Sequence, residues 1–154
     1  MGTQPEYIAN VLYGFLWEFL RGHSLGWAVL EVLFRLSDDP VLERRPDVAF
    51  VPFERWPQRR IPDTEAWHVI PALAVEVVSK SNTAYEIQGK VREYFRHGVL
   101  MVWVIYPKQQ EVHIYEGGKV IRVLDTTDTL DGAGVIPGFQ LAVGKLFEGL
   151  EKPA

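Results

Sequence analysis

Two apolar runs constrain this chain more than any other feature. Residues 72–78 read Ala-Leu-Ala-Val-Glu-Val-Val, interrupted only by Glu76, and residues 101–106 read Met-Val-Trp-Val-Ile-Tyr. The first ends in the turn-forming stretch Ser79 to Thr83, the second at Pro107. Short continuous apolar runs bounded in this way are central strands covered on both faces. The covering helices are also legible. Tyr7, Ile8, Val11, Leu12, Phe15, Leu16, Phe19 and Leu20 recur at helical spacing, with Pro5 in the first turn, Thr3 as the cap and Gly22 as the stop. A second helix is expected to follow Thr83 and run to about His97, ended by Gly98.

Further strands are expected at Trp27–Leu36 and Val48–Val51, with a turn at Ser37-Asp38-Asp39-Pro40 between them. Residues 53–71 form a long connection, the kind more often functional than idle. Glu111–Glu116 and Lys119–Leu124 flank Gly117-Gly118 as a hairpin. A turn at Pro137-Gly138 and a short closing helix over Val143–Leu150 complete the order. The expectation is one α/β domain over residues 1–154, with a mixed central sheet flanked by helices.

Composition removes several classes of function. The chain has no cysteine, which excludes disulfide scaffolds, thiolate zinc sites, thiol nucleophiles and Fe–S clusters. A net charge of −4 argues against a protein that coats nucleic acid, yet it suits a site that must hold a divalent cation. No apolar run approaches the roughly 18 residues of a membrane span, and the N-terminus lacks signal-peptide order. A cytoplasmic location without a membrane partner is expected. The four histidines have no zinc-ligand spacing, and no phosphate-binding glycine motif or nucleophile elbow occurs.

Two carboxylates stand out against this background. Glu76 interrupts a core strand, where a carboxylate must be paired, neutralised or bound to metal. Asp47 opens a strand directly after Pro46, a position equally common in ordinary turns. Together, two carboxylates on adjacent strands are able to hold a hard cation through oxygen. Lys90, on the following helix, is either a solvated helix lysine or an ammonium turned back over the strand end; Tyr94, four residues on, is placed to share its face. Arg44-Arg45 and Arg59-Arg60 flank Asp47 in sequence and are either surface charge or phosphate contacts. Lys80, Lys90, Arg92 and Arg96 add a locally basic segment.

These residues, in this order, resemble a known family. Arg45-Pro46-Asp47-Val48-Ala49-Phe50-Val51, then Ala74 to Thr83, then Glu86, Lys90, Tyr94, His97-Gly98-Val99 and Trp103-Val104-Ile105 are similar to the successive blocks of the Uma2 family, also called DUF820. The resemblance implies a restriction-endonuclease-like core of the PD-(D/E)xK superfamily and Mg²⁺- or Mn²⁺-dependent hydrolysis of DNA phosphodiesters. By position it implies Asp47 and Glu76 as metal carboxylates, the Val77 carbonyl as a further metal ligand, and Lys90 as the catalytic lysine. The superfamily's usual lysine position, two residues after the glutamate, is Val78 here. Arg44, Arg45 and Lys80 become the expected nucleic-acid contacts, with DNA as a transient substrate.

A second reading is a non-catalytic module on the same fold. It draws on the acidic charge and on an N-terminal strand that the family often carries and this sequence does not show. Phe53, Trp56 and Trp67 would then be exposed partner contacts. RNA or a nucleotide is a third possible substrate class. Trp17 and Phe19 on the first helix offer a face for packing or for a homodimer, the commonest closed assembly.

Overall fold

In a computed structural model describing residues 2–151, the two apolar runs lie side by side at the centre of a six-stranded sheet. The elements in chain order are α1 (Thr3–Arg21), β1 (Gly26–Leu30), β2 (Phe34–Asp38), β3 (Val41–Arg44), β4 (Val48–Pro52), β5 (Leu73–Val77), α2 (Ala84–Arg96), β6 (Met101–Tyr106), β7 (Glu111–Glu116), β8 (Lys119–Leu124), β9 (Thr129–Asp131) and β10 (Gln140–Ala142). A 3-10 turn over Val143–Leu146 follows. The sheet runs β1-β4-β5-β6-β7-β8, parallel between β5 and β6 and antiparallel elsewhere. Helix α2 is the crossover that a parallel pair requires. Among the described residues no helix is long and apolar enough to cross a membrane.

Strand alternation divides the core into two clusters. Val48, Phe50, Leu73, Val75, Val77, Met101, Trp103 and Ile105 pack with Ile8, Leu12 and Leu16 of α1. Ala49, Val51, Ala74, Val102 and Val104 pack with Ile87, Val91 and Tyr94 of α2. The hairpin β9–β10 closes the α1 side through Leu130, Phe139 and Leu141. The turn glycines behave as their positions demand. Gly117 and Gly118 both take positive φ, 58° and 80°, as a two-residue hairpin of type I′ needs.

Four expectations are corrected. The strand expected over Trp27–Leu36 is two strands in different sheets. Beyond Leu30, Glu31 turns to φ 51°, and β2 leaves to pair with β3, whose four residues are too few to show a period. The expected closing helix shrinks to one 3-10 turn, with Gly149 at φ 86° just beyond it. Gly2 rather than Thr3 caps α1, and no side chain bonds there.

The fourth correction concerns residues 53–71. Trp67 is 3% exposed and forms a parallel bridge to Phe34, exchanging main-chain hydrogen bonds with Leu33 and Arg35. Its ring meets Trp27, Phe34 and Trp56, and Arg59 lies 4.1 Å over the half-buried Phe53 ring. The aromatics of this connection are a lateral core under the β2–β3 hairpin. A tryptophan in a Pro-rich stretch carries no periodic signal of burial, which is why it reads as exposed.

Candidate functional site

The site lies at the end of the α2 face of the sheet, where β4 and β5 meet helix α2. Pro46 is buried and leads the chain into β4, which sets Asp47 beside β5. The Asp47 N–H donates to the Val75 carbonyl (3.0 Å), and the Val77 N–H donates to Asp47 Oδ2 (2.7 Å). Asp47 therefore grips the main chain on both sides of Glu76. On its other flank, the Glu31 N–H donates to the Asp47 carbonyl (3.2 Å).

Glu76 is the one charged or polar residue counted as buried among those described, at 5% exposure. Two groups from α2 meet its carboxylate. The Tyr94 hydroxyl donates to Oε1 at 2.6 Å, and Lys90 Nζ lies 3.9 Å from Oε2. Local sequence makes this possible. The Thr83 hydroxyl accepts the Glu86 N–H and starts α2, and Ile87, Val91 and Tyr94 form its buried stripe. Lys90 sits one turn before Tyr94 on the same side, so one helix offers an ammonium and a phenol to one carboxylate.

The electrostatics follow from burial. Desolvation pushes the Glu76 carboxyl from 4.5 up to about 7, against the opposing pull of the Tyr94 hydrogen bond and the Lys90 charge. Asp47 is also raised, chiefly by burial, although the Val77 hydrogen bond and Lys90 work against the shift and Glu31 adds to it. Burial and the neighbouring Glu76 raise Tyr94 well above its ordinary value, so it stays a phenol and a donor.

Of the residues singled out from sequence, Asp47, Glu76, Val77 and Lys90 come together. Arg44 lies nearby, but its guanidinium clasps Glu93 of α2, Nε to Oε2 at 2.6 Å and Nη2 to Oε1 at 2.9 Å. Arg45 is exposed and donates to the Glu31 carbonyl at 2.6 Å. Lys80 is exposed in the turn after β5. Arg59 and Arg60 belong to the lateral aromatic core and its surface, away from this cluster. On α1, Phe19 packs edge-on against Phe139, while Trp17 is 54% exposed.

Sequence reading missed two features. Glu31 adjoins Asp47 through the main chain, and its only sequence sign is an acidic residue inside the run expected as the strand Trp27–Leu36. The hydroxyl of Tyr94 was expected only to share a face with Lys90, not to bond Glu76.

The donor set suits a small hard cation. Two carboxylates converge on one stretch of β5, and the buried one is neutralised by nothing nearer than an ammonium at 3.9 Å. Mg²⁺ typically takes one or two carboxylates and keeps several waters. Among the described residues no set of three His, Cys, Asp or Glu side chains is grouped to hold a metal, so any further ligand would be main chain, water or substrate.

Comparison with known proteins gives a family and a fold. The family model described as "Uma2: Putative restriction endonuclease" matches residues 1–144. The chain is similar in structure to a crystal structure titled as a putative nuclease belonging to DUF820 from Anabaena variabilis ATCC 29413. The TM-score is 0.81 at 18% identity, covering 96% of this chain and 82% of that one. A looser likeness is to a chain in the cryo-EM structure of a DrdV–DNA complex, with a TM-score of 0.41 at 13% identity over 74% of this chain and 66% of that one. No curated protein matches the sequence. The similarity to the DUF820 structure shows that the two chains share a fold.

Proposed function

Given that the chain belongs to the Uma2 family, whose model spans residues 1–144, we propose that it is a metal-dependent endonuclease that hydrolyses DNA phosphodiester bonds. The observation that carries this reading is the convergence of Asp47, Glu76 and Lys90 at one end of the α2 face. Asp47, Glu76 and the Val77 carbonyl would hold Mg²⁺ or Mn²⁺. A cation bound there supplies an activated water and polarises the scissile phosphate.

The chain's own groups do the rest. Burial withholds solvent from Glu76, so its charge acts in a medium of low dielectric. Asp47 is fixed through Val75 and Val77, which holds its carboxylate beside that of Glu76. The Lys90 ammonium, two-fifths exposed, can meet a phosphate oxygen from solvent while staying near Glu76. Arg45, two residues before Asp47, and Lys80, three residues after Val77, are exposed and would steady the flanking backbone phosphates. We assign Arg44 to the same basic rim, with its contact to Glu93 as the state without DNA.

The test is cleavage of plasmid DNA with Mg²⁺ or Mn²⁺. Asp47→Ala, Glu76→Ala and Lys90→Ala should each abolish metal-dependent nicking while the far-UV circular dichroism spectrum stays that of the wild type. Cleavage unchanged in all three would overturn the assignment.

A further inference from the structure

We propose that Tyr94 is a positioning residue for Glu76: its hydroxyl occupies Oε1 and leaves Oε2 as the oxygen that faces the cation and Lys90. This rests on the reading of Glu76 as a cation ligand. The geometry is specific. The Tyr94 hydroxyl donates to Oε1 at 2.6 Å, and Lys90 Nζ addresses the other oxygen, Oε2, at 3.9 Å. One helix therefore divides the two oxygens of one carboxylate between two different groups.

Packing explains why the division is firm. Tyr94 is 1% exposed and sits among Ile87, Val91, Val102 and Val104. Its ring cannot swing away without opening a hole in that cluster, and interiors are packed too densely for that. Its carbonyl accepts the N–H groups of His97 and Val99, which fixes the end of the helix as well. A phenylalanine would fill the same space. The hydroxyl is costly to bury unless it is bonded, and Glu76 is its partner here. A phenol has one hydrogen to donate, so the bond fixes the orientation of the carboxylate as well as its position.

The experiment is calorimetric titration of the full chain with Mn²⁺. Wild type, Tyr94→Phe, Glu76→Gln and Val91→Ala are compared at one pH. Loss of the outer hydrogen bond to a metal ligand typically weakens metal binding by about 10–100-fold, and Tyr94→Phe should fall in that range. Val91→Ala, which loosens the same packing without touching Glu76, should keep wild-type affinity even with a lower melting temperature. Wild-type affinity in Tyr94→Phe, with binding lost in Glu76→Gln, would overturn the role of Tyr94 and leave the cation reading standing. Equal titrations for wild type and Glu76→Gln would overturn the cation reading itself.

A measurement on the wild type covers the case in which Tyr94→Phe does not fold. With ring-labelled tyrosine, the infrared difference between metal-free and Mn²⁺-loaded protein should show a shifted phenol C–O band. An unshifted band on saturation overturns the proposal.

Discussion

Val75 and Glu76 are neighbours on β5, and they face two different proteins in miniature. Val75 joins Leu73 and Val77 against α1, in a cluster that holds no carboxylate and whose buried polar atom, Trp103 Nε1, has no hydrogen-bond partner. Glu76 follows Ala74 toward α2, at the point where that side's apolar packing gives way to Asp47, Lys90 and Tyr94. Both residues are at least 95% buried, so exposure does not separate them. What separates them is the supply of partners. Helix α1 buries Pro5, Ile8, Ala9, Leu12 and Leu16, with nothing to offer a carboxylate, whereas α2 presents a phenol and an ammonium. Strand alternation thus lets one strand serve stability on one face and chemistry on the other.

The sharpest way to break this contrast is to put the carboxylate on the wrong face. Val75→Glu would bury an acid with no donor from α1, and an unpartnered polar group in such surroundings costs roughly 2–7 kcal/mol. That is comparable with the whole stability of a typical domain, so the variant should be largely unfolded at room temperature by circular dichroism. A folded Val75→Glu protein would show that α1 is far more forgiving than its packing implies.

The next effect is a pH dependence confined to the α2 face. Burial raises Glu76 from 4.5 to about 7, so between those values the folded chain holds a proton that the unfolded chain has released. The stabilisation from Glu76 is therefore complete below about 4.5 and lost as the pH rises through about 7. A shift of this size is on the order of 3 kcal/mol. With chelator present, the urea midpoint should be higher near pH 5, below the raised Glu76 value, than near pH 8, above it. Glu76→Gln should flatten most of that slope. Asp47, raised by its own burial, slopes the same way and should leave a smaller residue. Equal slopes in both proteins would place the titration elsewhere.

The contrast also explains what was legible in the sequence. The central strands could be read because each is an apolar run closed by turn residues, both long helices because they repeat a period, and the hairpin because Gly117-Gly118 is a required turn. Glu76 could be read because a carboxylate breaks an apolar run. The β2–β3 and β9–β10 pairs could not, since strands of three to five residues show no period. Trp67 was misread because its burial depends on Phe34, 33 positions earlier, and on a bridge with no local pattern. No spacing ties Arg44 to its partner Glu93, which lies 49 positions away on α2. Side-chain partnership across elements is a property of packing, and one-dimensional spacing does not encode it.

That Arg44–Glu93 pair gives the third test. It ties the β2–β3 hairpin to α2 through two charge-assisted bonds between half-buried groups. Arg44→Ala and Glu93→Ala should each cost about 1–2 kcal/mol in urea unfolding, and a double-mutant cycle should recover most of it as coupling. The coupling should weaken in high salt. Additive single effects would mean that the hairpin is held by Phe34 and Leu36 packing alone.

The smallest effect compares how the two helices begin. Helix α2, which carries the chemistry, is capped by the Thr83 hydroxyl on the Glu86 N–H at 3.1 Å, whereas α1 starts at Gly2 with no side-chain cap. Thr83→Ala should cost about 1 kcal/mol. Gly2→Ser should add only a few tenths, because a glycine cap already lies close to serine in preference. The two variants need not act alike on the site. Freeing the first turn of α2 should loosen Lys90 and Tyr94 from the helix start inward, so Thr83→Ala should also weaken Mn²⁺ binding slightly. Gly2→Ser acts on the face that holds no carboxylate, and its Mn²⁺ titration should overlay that of the wild type. Parallel changes in stability and metal affinity for both variants would mean that the two faces are coupled through the sheet rather than insulated by it.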